Sequence, residues 1–319
     1  MADFSLRCRA NHGNDAVLAG WRKNVGGPLE LDLAPPPPAP ARTLVVLDWN
    51  IWIGRGDLAS VVERVRGGAY ASEGFPPGVP FVALIQEAYR QDESVPAIAG
   101  PHFARDASRR SGHEHEIGAL ARQLQLNLRY MPSMRNGPAH SDRGNAILSS
   151  LPLIDSRADE LPYCYQRRVA VSATIQLGAQ PLRLHSAHLD PRGRRARDLF
   201  GIAGRLRQAR AFVEAIRDGD GMPHLLGADL NLARQRREPA FRVLTEAGFS
   251  LGTQAHRPPW RHTYHRLPRL NLDWLLLANA RDRFTLGALR RLDEHPQDQG
   301  PYVFGSDHHP LLARIDLEE

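Results

Sequence analysis

Short apolar runs that stop at a carboxylate, an amide or a histidine recur along this sequence. Residues 44–47 lead directly into Asp48 and Asn50, and residues 81–85 lead into Gln86 and Glu87. Apolar runs of about four to eight residues are typical of strands covered on both faces of a sheet. Amphipathic stretches separate the runs, so helices are expected to provide that cover. The alternation predicts a layered α/β architecture.

The predicted strands and helices follow from these two periodicities. The apolar runs are predicted strands at residues 44–47, 81–85, 146–148, 169–175, 182–188, 225–226, 274–277 and 311–315. Amphipathic stretches are predicted helices at residues 117–126, 198–217 and 238–247. The last stretch stops at Gly248, a residue type that commonly ends helices.

The first part of the chain differs in composition from the rest. Residues 1–41 are mostly polar and end in a proline-rich spacer at residues 34–40. Consecutive prolines adopt an extended, semi-rigid conformation. Residues 1–41 are therefore expected to form an N-terminal tail, and residues 42–319 to form the main domain.

The charge of the chain permits an acidic partner. The formal net charge is +6, and arginine supplies nearly all of the positive charge because Lys23 is the only lysine. Arginine binds phosphate through a planar fork of donors. A GC-rich genome would produce the same bias, so arginine content alone does not identify the partner.

The cysteines and the apolar runs indicate a cellular compartment. Cys8 and Cys164 are the two cysteines, and they fit neither a metal motif nor a disulfide framework. The N-terminus lacks the basic start and apolar core of a signal peptide. The apolar runs are far shorter than the ~20 residues of a membrane span. We therefore expect a cytoplasmic protein without a transmembrane segment.

The side chains beside the apolar runs suit the hydrolysis of a phosphate ester. Such a reaction needs stabilised charge on the phosphoryl oxygens and a positioned water molecule. Glu87 and Asp307 can supply the oxygen ligands that Mg²⁺ prefers. Asp229 can orient or deprotonate water, and His308 can hydrogen-bond to the phosphate with its tautomer fixed by Asp273. Strand ends are where open α/β sheets carry ligands.

Each of these residues alone is a weak signal. A glutamate after a strand is usually solvated, and Asp-x-Asn is more often a turn. Six such sites, each beside an apolar run, are a stronger signal. The sequence also lacks a Gly-x-Ser-x-Gly nucleophile motif, a phosphate-binding P-loop and a cysteine cluster for zinc.

Seven segments give the sequence a resemblance to a known family. They are Asp48-Trp-Asn50, Leu84-Ile-Gln-Glu87, Arg143-Gly-Asn-Ala-Ile-Leu-Ser149, Ser186-Ala-His-Leu189, Gly227-Ala-Asp-Leu-Asn231, Leu272-Asp273 and Gly305-Ser-Asp-His-His-Pro310. In this order they resemble the endonuclease/exonuclease/phosphatase superfamily, which has the pancreatic-deoxyribonuclease-like fold. The last segment matches the family's Ser-Asp-His-x-Pro signature and is the most specific.

The resemblance implies a fold, a cofactor and a set of roles. The fold would be a four-layer α/β sandwich with two packed central β-sheets flanked by helices. Residues 42–319 would be the catalytic domain of a metal-dependent phosphoric ester hydrolase that uses Mg²⁺ or Mn²⁺. The implied metal ligands are Asn50, Glu87 and Asp307. The implied catalytic residues are His188, Asp229, Asn231, Asp273 and His308, and Asn145 would help to order the site.

Two positions depart from the usual family pattern. The family usually has Gly-Asp-x-Asn, whereas Ala228 here separates Gly227 from Asp229. The Asp-x-Asn spacing survives, so little change is expected. His188 stands where the abasic-site endonucleases usually have tyrosine. A histidine there is similar to the deoxyribonuclease, sphingomyelinase and tyrosyl-DNA phosphodiesterase branches.

Several arginines and aromatic residues are candidates for substrate contact. Arg143 lies in a matching segment, and Arg192 and Arg194 follow the predicted strand at residues 182–188. A phosphate-contacting rim and a solvated loop both explain such arginines. Arg167 and Arg168 are expected to pair with acidic neighbours. Trp260, His262 and Tyr264 lie just before Asp273. An aromatic ring there suits stacking on a base or a lipid headgroup, or packing in the core.

Three functions remain open at this point. The basic charge favours a nuclease or other nucleic-acid phosphodiesterase that binds DNA or RNA. The alternative is a phosphatase or phosphodiesterase that acts on an inositol phosphate, a sphingomyelin-like lipid or another small phosphoester. A catalytically silent binding module is disfavoured because the polar residues of all the matching segments are intact. A monomer is favoured.

Overall fold

The computed structural model describes residues 4–8, 14–35, 41–98, 100, 114–137, 140–193, 198–217, 221–251, 260–280, 283–293 and 301–318. The strands within them are β1 (Ser5–Arg7), β2 (Leu29–Leu31), β3 (Thr43–Asn50), β4 (Phe81–Gln91), β5 (Asn127–Arg135), β6 (Ser141–Ser149), β7 (Ile154–Glu160), β8 (Val169–Leu177), β9 (Gln180–His188), β10 (His224–Asp229), β11 (Asp273–Ala278), β12 (Phe284–Arg291) and β13 (Leu311–Leu317). The α-helices are α1 (Asp15–Arg22), α2 (Leu58–Arg66), α3 (Ile117–Leu124), α4 (Ile202–Ile216) and α5 (Pro239–Glu246).

Strand pairing divides these strands into two sheets. The six-stranded sheet has the order β1-β7-β8-β9-β10-β11, and the seven-stranded sheet has the order β12-β13-β3-β4-β6-β5-β2. The strand pairs β3 with β4, β9 with β10 and β1 with β7 are parallel. The other neighbouring pairs in both sheets are antiparallel.

Side-chain alternation along the strands creates one apolar layer between the sheets and one on each outer face. In β3, Leu44 and Val46 belong to the cluster between the sheets, whereas Val45 and Leu47 belong to the cluster that includes α2 and α3. The helices α4 and α5 pack on the outer face of β9, β10 and β11, where Phe212 is buried. The order helix, sheet, sheet, helix confirms the predicted four-layer α/β sandwich.

The predicted helices correspond to α3, α4 and α5, with shorter bounds. The helix α4 begins at Ile202 rather than at residue 198, because Gly201 adopts a left-handed φ of 69° just before it. The carboxylate of Asp198 instead accepts hydrogen bonds from the backbone N–H groups of Ala203 and Gly204. Asp198 therefore serves the first turn of the helix as a hydrogen-bond acceptor and is not part of it.

The segment expected to form a tail contributes strands to both sheets. The strand β1 pairs with β7 at the edge of the six-stranded sheet, and β2 pairs with β5 at the edge of the seven-stranded sheet. Phe4 is buried in the core between the sheets, and Leu29 packs against the core beneath α2 and α3. Strands of three residues are too short to show an apolar period. The polar composition of residues 1–41 therefore predicts a tail where the structure has edge strands. Residues 36–40 of the proline spacer lie outside the described residues.

The helices in the described part of the chain are short. The longest, α4, has 15 residues. Within the described residues, none of the helices has the length and apolar character needed to cross a membrane.

Candidate active site

Three polar residues stand side by side at one end of the six-stranded sheet. His188 ends β9, Asp229 ends β10 and Asp273 begins β11. The register pairs His188 with Asp229 and Asp229 with Asp273. Each side chain continues the face of its strand that forms the core between the sheets. Strand alternation and register therefore bring three residues that are distant in sequence to one place between the sheets.

The seven-stranded sheet contributes Asn50 from the end of β3. Its Nδ2 donates a hydrogen bond to Oδ2 of Asp229 at 2.9 Å, and its Oδ1 accepts one from the backbone N–H of Trp52 at 3.0 Å. Asn50 and Asp229 are both buried. This hydrogen bond joins the two sheets at the candidate site.

Gly227 permits the two sheets to approach each other closely beneath the site. A Cβ at this position would lie 2.6 Å from Oδ1 of Asp48 and 2.7 Å from Cδ1 of Leu84. The same Asp48 oxygen accepts a hydrogen bond from Nε2 of Gln86 at 2.9 Å. Burial, followed by the charge of Asp273, raises the pKa of Asp48 well above its usual value. Asp48 is thus a buried polar support below the site.

His308 reaches the site from the segment just before β13. Its Nδ1 lies 2.8 Å from Oδ2 of Asp273, and its Nε2 lies 3.9 Å from Oδ2 of Asp229. Burial opposes the charged imidazole, but the neighbouring carboxylates of Asp273 and Asp229 outweigh it and raise the pKa of His308 to about 10. At neutral pH, His308 is therefore an imidazolium with Nε2–H on the side of Asp229.

Asp229 is the carboxyl group at the centre of the constellation. Burial, followed by the charge of Asp273, raises the pKa of Asp229 to about 7. The charge of His308 and the hydrogen bond from Asn50 act in the opposite direction. A carboxyl group whose pKa is near neutrality can accept a proton from a substrate or water at physiological pH.

His188 and Asn231 flank Asp229 on its other side. Nε2 of His188 lies 3.2 Å from Oδ2 of Asp229 and 3.0 Å from Nδ2 of Asn231. The backbone N–H of Asn231 donates to Oδ1 of Asp229 at 3.0 Å, and its φ of 51° is left-handed, which asparagine tolerates better than most residues. Burial, followed by the charge of Arg168, lowers the pKa of His188 well below its usual value, so its imidazole is neutral. The site therefore contains one charged and one neutral imidazole.

Glu87 and Asp307 form a pair of neighbouring carboxylates. Glu87 lies in a bulge of β4, where pairing with β6 shifts register, and its φ is 53°. Burial, followed by the charge of Glu87, raises the pKa of Asp307. Asn50 is close to both, because it pairs in register with Gln86 and its backbone oxygen accepts from Ser306. Two repelling carboxylates beside an amide fit a hard divalent cation.

A second group of potential ligand atoms belongs to Asp229, Asp273 and His308. These atoms lie within 4.8 Å of one another. Their contacts with each other and with Asn50 already engage one oxygen of each carboxylate and Nδ1 of His308. Oδ1 of Asp273 is buried without a hydrogen-bond partner among the described residues, so this group and the pair of Glu87 and Asp307 both offer carboxylate oxygens to a cation.

Asn145 and Arg143 are both buried in β6. Nδ2 of Asn145 donates to the backbone oxygen of Val169 at 2.7 Å, so its amide joins the two sheets beside the site. Arg143 is close enough to His188 for its charge to contribute to the lowered pKa of that imidazole. The structure thus places both residues next to the constellation.

The arginines after β9 are placed differently. Arg192 is exposed, and its guanidinium lies 4.5 Å from the centroid of the Tyr165 ring. Arg194 lies outside the described residues. Within the described part of the chain, Arg192 makes no contact with the residues of the constellation.

Arg167 and Arg168 pair with acidic neighbours, as expected from the sequence. Nε of Arg167 lies 2.6 Å from Oε1 of Glu160, and Nε of Arg168 lies 3.0 Å from Oδ1 of Asp190. All four side chains are buried. After burial, the charge of Arg168 contributes to the lowered pKa of His188, so this ion pair influences the electrostatics of the site.

Two hydroxyl side chains that were not predicted hold the constellation in place. Oγ of Ser306 donates to the backbone oxygen of Asn50 at 2.7 Å and accepts from the backbone N–H of His308 at 3.1 Å. Oγ1 of Thr263 accepts from the backbone N–H groups of residues 272 and 273, both at 2.9 Å. Ser306 belongs to the Ser-Asp-His-x-Pro segment and could have been found there. Thr263 lies in an irregular segment and carries no sequence signal.

Two aromatic side chains contact His308. Nε1 of the buried Trp49 donates to the backbone oxygen of His308 at 2.8 Å. The ring of Tyr264 meets the imidazole edge-to-face, with centroids 5.1 Å apart. Tyr264 is therefore part of the wall of the site, which the sequence left open between stacking and core packing.

The surface has a groove of about 1330 Å³. The first of its lining residues in the chain is Ala233, two residues after Asn231. Its described lining contains Trp260 and five exposed arginines, which are Arg234, Arg236, Arg237, Arg242 and Arg261. Glu238 is the single carboxylate among these lining residues, and it is buried in an ion pair with Arg205 at 2.7 Å. The groove is thus a strongly basic surface beside α5, lined in part by the residues that follow Asn231 in the chain.

Comparisons with known proteins identify the family and the fold of the chain. The profile of the Endonuclease/Exonuclease/phosphatase family matches residues 49–308. No curated protein matches the chain.

Several solved structures have a similar fold. An endonuclease/exonuclease/phosphatase from Beutenbergia cavernae DSM 12333 has a TM-score of 0.57 and 18% identity, covering 87% of this chain and 72% of that one. The human Nocturnin catalytic domain with bound sulfate anion has a TM-score of 0.55 and 15% identity, covering 91% and 97%. D. rerio TDP2 complexed with single strand DNA product has a TM-score of 0.50 and 17% identity, covering 86% and 99%.

Proposed function

The chain belongs to the Endonuclease/Exonuclease/phosphatase family, whose members hydrolyse phosphoester bonds, and we propose that it is a divalent-metal-dependent phosphodiesterase of nucleic acids. The observation that carries the proposal is the position of Asp229. Its carboxyl group, with a pKa of about 7, lies between the imidazolium of His308 and the amide of Asn50. A proton acceptor and a cationic donor on one buried wall suit water attack on phosphorus.

Asp229 is the proposed base. It would take a proton from the attacking water while the water oxygen bonds to phosphorus and the bond from phosphorus to the leaving ester oxygen breaks. The leaving oxygen would then take a proton from solvent. The backbone N–H of Asn231 and the amide of Asn50 each donate to one of its oxygens, which fixes the orientation of the carboxylate. A base held in this way loses little entropy when it meets the water.

His308 is the proposed donor to the phosphoryl oxygens. Asp273 holds its Nδ1, which leaves Nε2–H as the free donor on the side of Asp229. A charge-assisted hydrogen bond from an imidazolium is about twice as strong as a neutral one, and it strengthens as charge develops on the phosphoryl oxygens. The neutral His188 and the amide of Asn231 would provide further contacts to the phosphate.

Glu87, Asp307 and Oδ1 of Asn50 are the proposed ligands of the cation. When bound, Mg²⁺ or Mn²⁺ would neutralise charge on the phosphate and polarise its oxygens. Oδ1 of Asn50 already accepts one hydrogen bond from Trp52, and an amide oxygen has a second lone pair for a metal ion. Glu87 lies at the bulge of β4, close enough to Asp307 for its charge to help raise the pKa of that carboxyl group.

The basic groove favours nucleic acid over the alternative small phosphoesters. Its five exposed arginines suit a chain of phosphates, and Trp260 offers a ring on which a base can stack. A single small phosphoester would need fewer positive charges than this. The D. rerio TDP2 structure, which contains a single strand DNA product, supports the same substrate class for this chain.

A panel of substrates tests the proposal. The purified chain is incubated with single- and double-stranded DNA and RNA, soluble phosphomonoesters such as inositol phosphates, and sphingomyelin vesicles. Each reaction contains Mg²⁺, Mn²⁺ or a chelator. His308→Ala removes the proposed donor. His140→Ala is the matched control, at an exposed histidine whose Nδ1 lies 2.8 Å from the backbone oxygen of Val95.

We expect cleavage of at least one nucleic acid with either cation. The chelator and His308→Ala should abolish it, and His140→Ala should retain it. Release of phosphate from small esters with intact nucleic acids would replace the nuclease proposal by the alternative. Absence of hydrolysis with every substrate would contradict phosphoesterase activity.

A further inference from the structure

Three histidines form a cluster that takes no part in the proposed reaction. The ligand nitrogens of His262, His265 and His309 lie within 4.8 Å of one another. Nδ1 of His265 is 2.9 Å from Nε2 of His309. The ring of His309 is centred 4.8 Å from that of His265 and 5.2 Å from that of His262. His265 and His309 are buried and His262 is half-buried.

The fold places this cluster behind the candidate active site. The segment before β11 pairs with the segment before β13, because His265 N–H donates to Asp307 and His309 N–H donates to Thr263, each at 2.8 Å. Successive side chains of extended segments point in opposite directions. Tyr264 and His308 are therefore in contact at the active site, while His265 and His309 meet on the other side.

Contacts behind His309 orient its imidazole as in a metal ligand. Its Nδ1 lies 3.1 Å from the backbone oxygen of Leu292 and 3.0 Å from Oδ1 of Asp293. Nδ1 consequently carries the hydrogen, and the lone pair of Nε2 points toward His265. Metal-bound histidines usually donate their other N–H to a carboxylate or a backbone oxygen in this manner.

We propose that His262, His265 and His309 bind a Zn²⁺ ion that fastens the segment before β11 to the segment before β13. Three imidazoles suit Zn²⁺, whereas Mg²⁺ prefers oxygen donors such as Glu87 and Asp307. Ligand nitrogens in a tetrahedral zinc site are about 3.3 Å apart, from Zn–N bonds of about 2.0–2.1 Å. The separations in the cluster, from 2.9 Å up to 4.8 Å, require only small side-chain movements to reach that spacing.

The charged groups near the cluster in the described part of the chain include Arg291, Asp293 and Arg269, which is close enough to His262 for its charge to affect that imidazole. NH1 of Arg291 donates to the backbone oxygen of His262 at 2.9 Å and lies 3.4 Å from Nε2 of that ring. NH2 of Arg291 is 2.9 Å from Oδ1 of Asp293, so the carboxylate offsets the guanidinium charge. Without an ion, the contact between His265 and His309 is an ordinary imidazole hydrogen bond, and this is the competing outcome of the test.

A Zn²⁺ ion bound to the three histidines would also affect the candidate active site. The segment before β11 carries Thr263 and Tyr264, and the segment before β13 carries His308. A zinc ion that joins the two segments would fix His308 relative to Asp273. The ion would thus stabilise the folded chain and order the proposed catalytic pair without touching the substrate.

Zinc binding to the full chain tests this proposal. The protein is stripped of metal, placed in excess Mg²⁺ to occupy oxygen sites, and titrated with Zn²⁺ against a chromophoric chelator. Melting temperature is measured with and without Zn²⁺. The variants are His262→Ala, which removes a half-buried ligand, and Asp293→Asn, which keeps all three ligands. The controls are Glu87→Gln and His140→Ala.

We expect one Zn²⁺ per chain and a rise in melting temperature on binding. Asp293→Asn should weaken binding about tenfold or more, and His262→Ala should weaken it further. Both controls should bind like the unmodified chain. No Zn²⁺ binding by the unmodified chain would overturn the proposal. Equal affinity in His262→Ala, or loss of binding in Glu87→Gln, would also overturn it. If His262→Ala does not fold, Asp293→Asn alone decides the question.

Discussion

Nδ1 of His308 lies 2.8 Å from Oδ2 of Asp273, and the two side chains come from opposite sheets. Asp273 begins β11 in the six-stranded sheet, whereas His308 precedes β13 in the seven-stranded sheet. Burial opposes the imidazolium, but this carboxylate raises the pKa of His308 to about 10. The contact therefore keeps His308 charged at neutral pH and fixes its orientation.

Replacement of Asp273 by asparagine should remove that control of His308. We expect Asp273→Asn to lower kcat for the preferred substrate by about 10²–10⁴, because the amide neither stabilises the imidazolium nor fixes its tautomer. The double variant Asp273→Asn/His308→Ala should be little slower than His308→Ala alone, because the two residues act as one unit. Steady-state kinetics measure the effect. Asp32→Asn, at an exposed carboxylate, is the control. If the double variant lowers kcat by the product of the two single losses, the residues act independently and the coupling is contradicted.

The carboxylate pair predicts a specific metal defect. Glu87→Gln should raise the Mg²⁺ concentration that gives half-maximal activity by about tenfold or more, because an anionic oxygen ligand is lost. Substrate affinity at saturating Mg²⁺ should change less. Titration of activity with Mg²⁺ measures the shift, and Glu93→Gln, at an exposed glutamate, should behave like the unmodified chain. An unchanged Mg²⁺ requirement in Glu87→Gln would exclude this residue as a ligand.

The basic groove predicts salt-dependent binding of nucleic acid. Arg234, Arg236 and Arg237 line it and are exposed. Each phosphate contact contributes about 0.7 to 0.9 to the slope of log affinity against log salt. The triple alanine variant of these arginines should therefore reduce that slope by up to about 2 to 3. Fluorescence anisotropy at several salt concentrations measures it.

A matched variant separates local contacts from overall charge. Arg42, Arg64 and Arg122 are exposed and lie outside the groove lining. Replacing all three by alanine removes the same charge and should leave the slope nearly unchanged. Equal slopes in the two triple variants would mean that general charge, rather than the groove, attracts the nucleic acid.

Gly144 predicts a local effect on stability. It stands between Arg143 and Asn145, and a Cβ at this position would lie 2.0 Å from the backbone oxygen of Met131. Gly144→Ala should lower the free energy of unfolding by about 2 kcal/mol or more, because backbone of β5 must move. Gly27→Ala is the control, since nothing lies within 4 Å of its Cβ position. Chemical denaturation compares them, and equal stability would refute this close approach of the strands.

The buried His224 predicts how the free energy of unfolding depends on pH. Burial, followed by the charge of Arg183, lowers the pKa of His224 to about 4, whereas an unfolded histidine has a pKa of about 6.5. Between these values the unfolded chain binds more protons, so the free energy of unfolding falls as the pH falls. His224 alone should cost about 2 kcal/mol at about pH 5 relative to neutral pH.

Denaturation at about pH 7.5 and about pH 5 measures this loss. The variant His224→Leu removes the titrating group and should have a flatter pH dependence. His140→Leu, at an exposed histidine, should keep the steep dependence of the unmodified chain. The same slope in His224→Leu and the unmodified chain would show that other groups govern acid sensitivity.

Strand alternation explains why much of the site could be predicted. Leu44 and Val46 face the core between the sheets, so Asp48 and Asn50 continue that face. The same alternation places His188 and Asp229, the last residues of β9 and β10, on the face of each strand that points to the core between the sheets. The sequence could not give the register that sets Asp229 beside Asp273, because register depends on pairing between strands that are distant in the chain.

The missed elements lack a strong local period. Pro132 interrupts the pattern of β5, and that strand was not predicted. The helix α2 (Leu58–Arg66) was also missed, although its buried residues recur at helical spacing. Short edge strands such as β1 are stabilised by pairing with β7 rather than by their own residues. Thr263 supports Asp273 from an irregular segment whose path is set by tertiary contacts.

Hydrolysis of bis-(p-nitrophenyl) phosphate tests the central claim most directly, because this diester requires the reaction centre but no groove. With Mn²⁺ or Mg²⁺, the unmodified chain should release p-nitrophenolate. A chelator should stop the reaction, and Glu87→Gln and His308→Ala should each slow it by about 10² or more. No release by the unmodified chain with either cation, or unchanged release by both variants, would contradict a phosphoesterase centre built from these residues.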